Sequence, residues 1–253
     1  MPYTLTVDQL GGKMKILIYG DPGVGKTAFA ASSNLVPELK RVLFLNVEGG
    51  LETLDDPRYL EDVVFEDIRS IADLENVYVK LRSGTEPRYE GIKTVIIDTL
   101  TELQFYALDD IVRAAVKKDK NRDDLDFVYQ DDYGKNTRQM SRLLRAMRDL
   151  PCNVIYTAHQ KDYAPQGSKN ATDILPKLTK QLATYVESYM DHEWFMYTKP
   201  DENGNINRYF LTQKSGIYHA KTRGMRFSRK LGQVVVNPTM PMIMDAYRAR
   251  AEE

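Results

Sequence analysis

Gly20-Asp21-Pro22-Gly23-Val24-Gly25-Lys26-Thr27 is a GxxxxGK[ST] run. Residues of these types at this spacing bind phosphate. The glycines permit backbone conformations that turn successive N–H groups inward, onto phosphate oxygens. A helix starting at the end of the run, with Ala28 in its first turn, adds the positive end of its dipole. Lys26 supplies a charge at the β- and γ-phosphates, and Thr27 a hydroxyl for Mg²⁺. The expected cofactors are ATP and Mg²⁺.

Such a loop needs a carboxylate for the metal. Asp98 closes the apolar run Val95-Ile96-Ile97 and suits that role. A strand-end aspartate capping the next helix is the plain alternative. Thr99 follows Asp98, so the adjacent Asp-Glu pair that many ATPases use is missing. DxxG and NKxD are missing too, which disfavours a GTPase. The carboxylate that activates water is then sought on another strand. Glu48 closes the apolar run 41–47 and is the best placed, because parallel sheets gather ligands at the carboxyl ends of their strands. Its alternative is a solvated turn residue.

The elements that must position these residues are visible as hydrophobic periodicity. Runs 14–19, 41–47, 93–98 and 152–157 read as buried strands. Helices are expected from Thr27, over 69–82, from about Thr101 and over 135–149. Alternating strands and helices imply parallel βαβ units. Residues 117–133 read as a charged, poorly periodic stretch and 160–176 as a loop. Runs 193–199 and 207–212 around Asn203-Gly204-Asn205 read as a hairpin, and a short helix is expected near 240–250. The fold class is α/β: a P-loop NTPase core with a mainly parallel central sheet flanked by helices and a C-terminal β-hairpin. One domain, 1–253, is expected, with its core at about 12–225, a short N-terminal arm and a C-terminal helix.

The 253 residues are 42% hydrophobic and 28% charged, enough for a sizeable core, with a formal net charge of -1. Global charge gives no argument for nucleic acid or membrane. Cys152 is the one cysteine, so no intrachain disulfide forms. The three histidines are far apart in sequence, and no CxxC or HExxH occurs. No signal peptide or spanning segment is expected. The chain reads as cytoplasmic with no membrane partner.

These motifs resemble those of RecA-like ATPases. Phe44-Leu45-Asn46-Val47-Glu48 with Leu51-Glu52 resembles the segment carrying the catalytic glutamate of RecA, and Ile96 to Thr101 its Walker B strand. Val154-Ile155-Tyr156-Thr157-Ala158-His159-Gln160 is similar to the strand whose polar end senses the γ-phosphate, with His159 or Gln160 in that role. Ala220-Lys221-Thr222-Arg223-Gly224 is similar to the Lys-x-Arg segment that RecA and DnaB-type ATPases offer to a neighbour's nucleotide. Lys221 and Arg223 would then be fingers acting across a subunit interface. In order and size the chain resembles small phage nucleotide-binding proteins, among them the Sak-type single-strand annealing recombinases. The resemblance implies single-stranded DNA, a homo-oligomer in ring or filament form, and a single-strand-binding protein as partners. It also implies the cytoplasm of a bacterial host.

Local charge points to a cationic strip facing phosphates, of DNA or of a neighbour's ATP; a basic face balanced by acids such as 109–110 and 123–126 is the plain alternative. From Asn203 to Ala246 the only acid is Asp245, against Arg208, Lys214, Lys221, Arg223, Arg226, Arg229 and Lys230. Residues 161–180 carry Lys161, Lys169, Lys177 and Lys180, with Tyr163 available to stack on a base. The 117–133 stretch, with Lys117, Lys118, Lys120 and Arg122, is a second expected DNA loop. The leading expectation is an ATP-dependent, single-stranded-DNA-binding ATPase of annealing or recombination. A DnaB-like helicase or translocase shares nearly all these motifs. A nucleotide-gated scaffold with little hydrolysis is the alternative of a different class.

Overall fold

The computed structural model describes residues 13–119, 121–164, 168 and 170–250. The expected N-terminal arm lies outside them. In chain order the strands are β1 (Lys15–Gly20), β2 (Val42–Asn46), β3 (Val64–Asp67), β4 (Thr94–Asp98), β5 (Asn153–Tyr163), β6 (Asp173–Pro176), β7 (His192–Pro200), β8 (Ile206–Leu211), β9 (Lys221–Thr222) and β10 (Val234–Val236). The helices are α1 (Lys26–Ala31), α2 (Ile71–Ser83), α3 (Leu100–Lys118), α4 (Gln130–Arg148), α5 (Lys180–Tyr189), α6 (Met225–Leu231) and α7 (Met240–Ala249).

The sheet runs β10-β8-β7-β1-β5-β4-β2-β3, with β6 added to β5 and β9 to β7. Strands β3, β2, β4, β5, β1 and β7 are mutually parallel. The antiparallel β7–β8 pair is the hairpin expected around Gly204. The fold is thus the expected α/β architecture, in which β5 separates the phosphate-loop strand β1 from the Asp98 strand β4.

Every residue of β1, β2 and β4 is buried. Continuous apolar strands of this kind need cover on both faces, and the side chains divide accordingly. Leu17, Tyr19, Leu43, Leu45, Val95 and Ile97 pack towards α2, α3, α4 and α5. Ile16, Ile18, Phe44 and Ile96 pack towards α1, α6 and α7, with Phe29, Trp194 and Phe210 at the centre of that layer. Phe29 meets Phe210 edge-on at 4.6 Å between ring centres, a favoured aromatic geometry.

Two sequence expectations need correction. Residues 160–176 are not a plain loop: β5 continues through Gln160 to Tyr163 and pairs antiparallel with β6. This hairpin is tied to the body by the Tyr19 hydroxyl, which donates to the Ile174 carbonyl at 3.0 Å, and by Ile174 N on the Ile217 carbonyl at 2.7 Å. The polar run Gln160-Lys161-Asp162 hid the strand. The 117–133 stretch also shortens, because α3 reaches Lys118 and α4 begins at Gln130. Within it Arg122 is already committed: its Nη2 lies 2.6 Å from Asp132 Oδ2 and its guanidinium 4.2 Å from the Tyr129 ring centre.

Candidate nucleotide site

β1 ends at Gly20, where the phosphate loop turns. A Cβ there would sit 2.1 Å from the Met196 carbonyl oxygen, so β7 can approach only a glycine. Gly25, at φ +103, caps α1 in a conformation that disfavours side chains. Lys26 folds back over the loop, its ammonium donating to the carbonyls of Gly20 at 3.1 Å and Asp21 at 2.7 Å. Burial lowers its pKa, opposed by Asp98 and Glu48. A buried ammonium held by carbonyls is a charge ready for anionic oxygens.

Thr27 Oγ1 donates to Asp98 Oδ2 at 2.8 Å, and Thr157 Oγ1 donates to Asp98 Oδ1. Burial raises the Asp98 carboxyl, opposed by those two hydroxyls. A buried carboxylate beside a threonine hydroxyl is a hard-oxygen donor set that fits Mg²⁺. Among the described residues, no cluster of three or more His, Cys, Asp or Glu forms a separate metal site.

Across the cleft stands Glu48. The β2 register puts Asn46 beside Asp98, and Val47 N and Glu48 N donate to the Asp98 carbonyl at 2.8 and 3.1 Å. Sheet pairing therefore fixes the Glu48 backbone against the Asp98 strand. Its carboxylate accepts from His159 Nε2, at 2.9 Å to Oε1 and 3.1 Å to Oε2. His159 pairs with Gly20 in the sheet, and its own N–H donates to Thr101 Oγ1 at 3.0 Å. The middle of β5 thus lies beside the start of the phosphate loop. Of the two sensor candidates, His159 lines the cleft and Gln160 does not. Gln160 instead begins the pairing with β6, opposite Pro176.

The cleft encloses about 710 Å³ between the phosphate loop, Glu48, Asp98 and His159, and extends to Arg208 and Asn237 to Thr239. Sequence reasoning missed this last wall. Arg208 and Asn237 carry no motif, and only the register of β8 against β7 and β10 brings them in.

Lys221 and Arg223 lie elsewhere. β9 pairs with His192 and Glu193, at the end of β7 opposite the loop. Lys221 Nζ donates to the Glu187 carbonyl, and Arg223 Nη1 contacts Asp191 Oδ1 at 2.6 Å. Neither lines the cleft of its own chain.

The expected DNA-contact residues are also dispersed. Lys161, Lys177 and Lys180 are exposed, on β5, after β6 and at the start of α5. Lys169 lies outside the described residues, as does Lys120. Tyr163 is partly buried: its hydroxyl donates to the Leu178 carbonyl at 2.6 Å, and one side of its ring packs against the core.

Comparison with known proteins agrees with the loop chemistry. No curated protein matches. Among solved structures, the flagellar accessory protein FlaH from Methanocaldococcus jannaschii is similar at 14% identity, with 88% of this chain and 84% of that chain covered and a TM-score of 0.43. No helix among the described residues is long and apolar enough to cross a membrane. Residues 12–224, which include the phosphate loop, Glu48, Asp98 and His159, match the AAA domain family, and the chain belongs to that family.

Proposed function

We propose that the protein hydrolyses ATP with Mg²⁺ and couples hydrolysis to single-stranded DNA, in annealing or recombination of the Sak type. One observation carries the hydrolytic part: Lys26, Thr27 and Asp98 converge at one end of the sheet, with Glu48 facing them. Loop N–H groups and Lys26 would bind the phosphates, and Thr27 and Asp98 would hold Mg²⁺. The ion, when bound, neutralises charge on the β- and γ-phosphates. Glu48 accepts a proton from the attacking water, and general-base help of this kind contributes about 10²- to 10⁴-fold.

The DNA part rests on charge and position. Exposed Lys161 lies on the β5–β6 hairpin and exposed Lys177 directly after it, and this hairpin continues the strand bearing His159. Phosphate neutralisation there would give salt-dependent binding. Lys221 and Arg223 act, if as fingers, on a neighbouring protomer, and Arg223 must first leave Asp191.

The test is steady-state ATP hydrolysis with and without single-stranded DNA, for wild type and Glu48→Gln. Expected is DNA-stimulated turnover that the variant loses by at least about 10²-fold while still binding nucleotide. Slow turnover indifferent to DNA and to the variant would sink the proposal and favour a nucleotide-gated scaffold. Directional unwinding by the active protein would move it to the helicase reading.

A further inference from the structure

The cleft continues past the phosphate loop, on the side away from Glu48 and His159, to a wall made by Arg208, Asn237, Pro238 and Thr239. Arg208 leans on the loop itself. Its Nε donates to the Val24 carbonyl at 3.2 Å, and its stem fills the space against Gly25, where a Cβ would fall 2.7 Å from Nε. A guanidinium carries five N–H donors. Among the described residues only the Nε hydrogen has a protein acceptor, so the Nη edge remains available to a ligand.

The wall is held in place from both sides. Arg208 N donates to Asn237 Oδ1 at 2.9 Å, and Asn237 N returns a bond to the Arg208 carbonyl at 2.7 Å. Asn237 Nδ2 donates to Asn207 Oδ1 at 2.9 Å, which fixes a residue at φ +47. Two residues on, Thr239 caps α7, and Met240 N donates to Ser32 Oγ at 2.9 Å, at the end of α1. The wall therefore spans from β8 to the far end of the helix that starts at Lys26.

A nucleoside triphosphate is elongated. With its γ-phosphate towards Glu48 and His159, the ribose and base leave along α1 towards this wall. We infer that Arg208, Asn237, Pro238 and Thr239 seat the nucleobase and ribose, with the Arg208 guanidinium against the base. A planar cation pinned by one edge stacks on an aromatic ring at little entropic cost, and the Pro238 ring offers an apolar surface beside it. Arg208 is thus a positioning and affinity residue for the nucleoside end, distinct from the charges on the phosphates. The inference rests on the nucleotide reading above.

Inorganic tripolyphosphate separates the two ends, since it carries the phosphates without the nucleoside. Binding of ATP and of tripolyphosphate, each with Mg²⁺, is measured for wild type, Arg208→Ala, Arg208→Lys and Lys26→Ala. Expected for Arg208→Ala is about tenfold weaker ATP binding, with tripolyphosphate binding unchanged. Arg208→Lys keeps the charge but not the plane, and is expected to rescue little. Lys26→Ala should lose both ligands. Equal losses for both ligands in Arg208→Ala would mean that Arg208 supports the phosphate loop instead, and no loss for ATP would remove it from the site; either result overturns the inference. Failure of the wild type to bind either ligand would bring down the nucleotide reading itself.

Discussion

The Glu48 carboxylate is held by the imidazole of His159. Both its oxygens lie within hydrogen-bond reach of His159 Nε2, while His159 Nδ1 is buried without a partner among the described residues. A base engaged in this way is less free to take a proton from water. If the contact restrains Glu48, His159→Ala raises hydrolysis without DNA by up to about tenfold, the worth of one charge-assisted hydrogen bond of about 1.5 kcal/mol. DNA stimulation shrinks in the same variant. Steady-state turnover checks this; a basal rate that drops as far as that of Glu48→Gln would make His159 a participant in hydrolysis rather than a restraint. At this scale the sequence was informative where a motif names its residues. Lys26, Thr27, Asp98 and Glu48 all reach the cleft. Arg208 was legible only as one member of a basic stretch and Asn237 not at all, because their place in the cleft comes from strand register, not from neighbours in the chain.

The α3–α4 connection shows how an element is closed by one buried ion pair. Asp132 is fully buried; it accepts from Arg122 through both oxygens, at 2.6 and 3.3 Å, and from Tyr129 N at 3.1 Å. These contacts hold the Asp132 carboxyl below its usual range, the Arg122 side chain first among the causes. Removing Asp132 leaves the half-buried Arg122 guanidinium and Tyr129 N without their acceptor, so Asp132→Ala should lower the midpoint of denaturant unfolding. A cost under about 1 kcal/mol would show that the connection contributes little to the fold. The same stretch explains a limit of sequence reading. Alternating Asp, Lys and Arg look like solvated loop, because pattern shows the sign of a charge and not its partner. β3 was missed for a related reason: only Val63, Val64 and Phe65 are apolar before Glu66 and Asp67, too short a run to stand out. The long apolar strands were legible because burial on both faces leaves no other composition.

For the whole molecule, the sheet end opposite the phosphate loop holds its own titratable pair. Burial, then Glu187, pushes the Glu193 carboxyl up to about 8, and neither of its oxygens has a hydrogen-bond partner among the described residues. Burial, then Arg223, takes neighbouring His192 down to about 3. For Glu193 the folded state keeps a proton that the unfolded chain releases above about 4.5, so its contribution to stability declines as pH rises towards about 8. For His192 the sign reverses: the unfolded chain binds a proton below about 6.5 that the folded state refuses, so stability declines as pH falls. Glu193→Gln should therefore flatten the loss of melting temperature between about pH 5 and about pH 8, gaining several degrees over wild type at the upper end. Parallel curves for the two proteins would mean that Glu193 is solvated in solution.

The β5 strand has a mechanical meaning. Its pairing passes without a gap from His159, opposite Gly20, to Gln160, opposite Pro176. A flexible loop absorbs displacement, whereas a paired strand transmits it. Load applied at the hairpin is carried to His159 along this continuous pairing, and motion at His159 reaches the hairpin the same way. Such an arrangement works as a strain gauge in both directions: under the proposed function, tension on DNA held at the hairpin becomes, for Glu48, an input equivalent to a ligand.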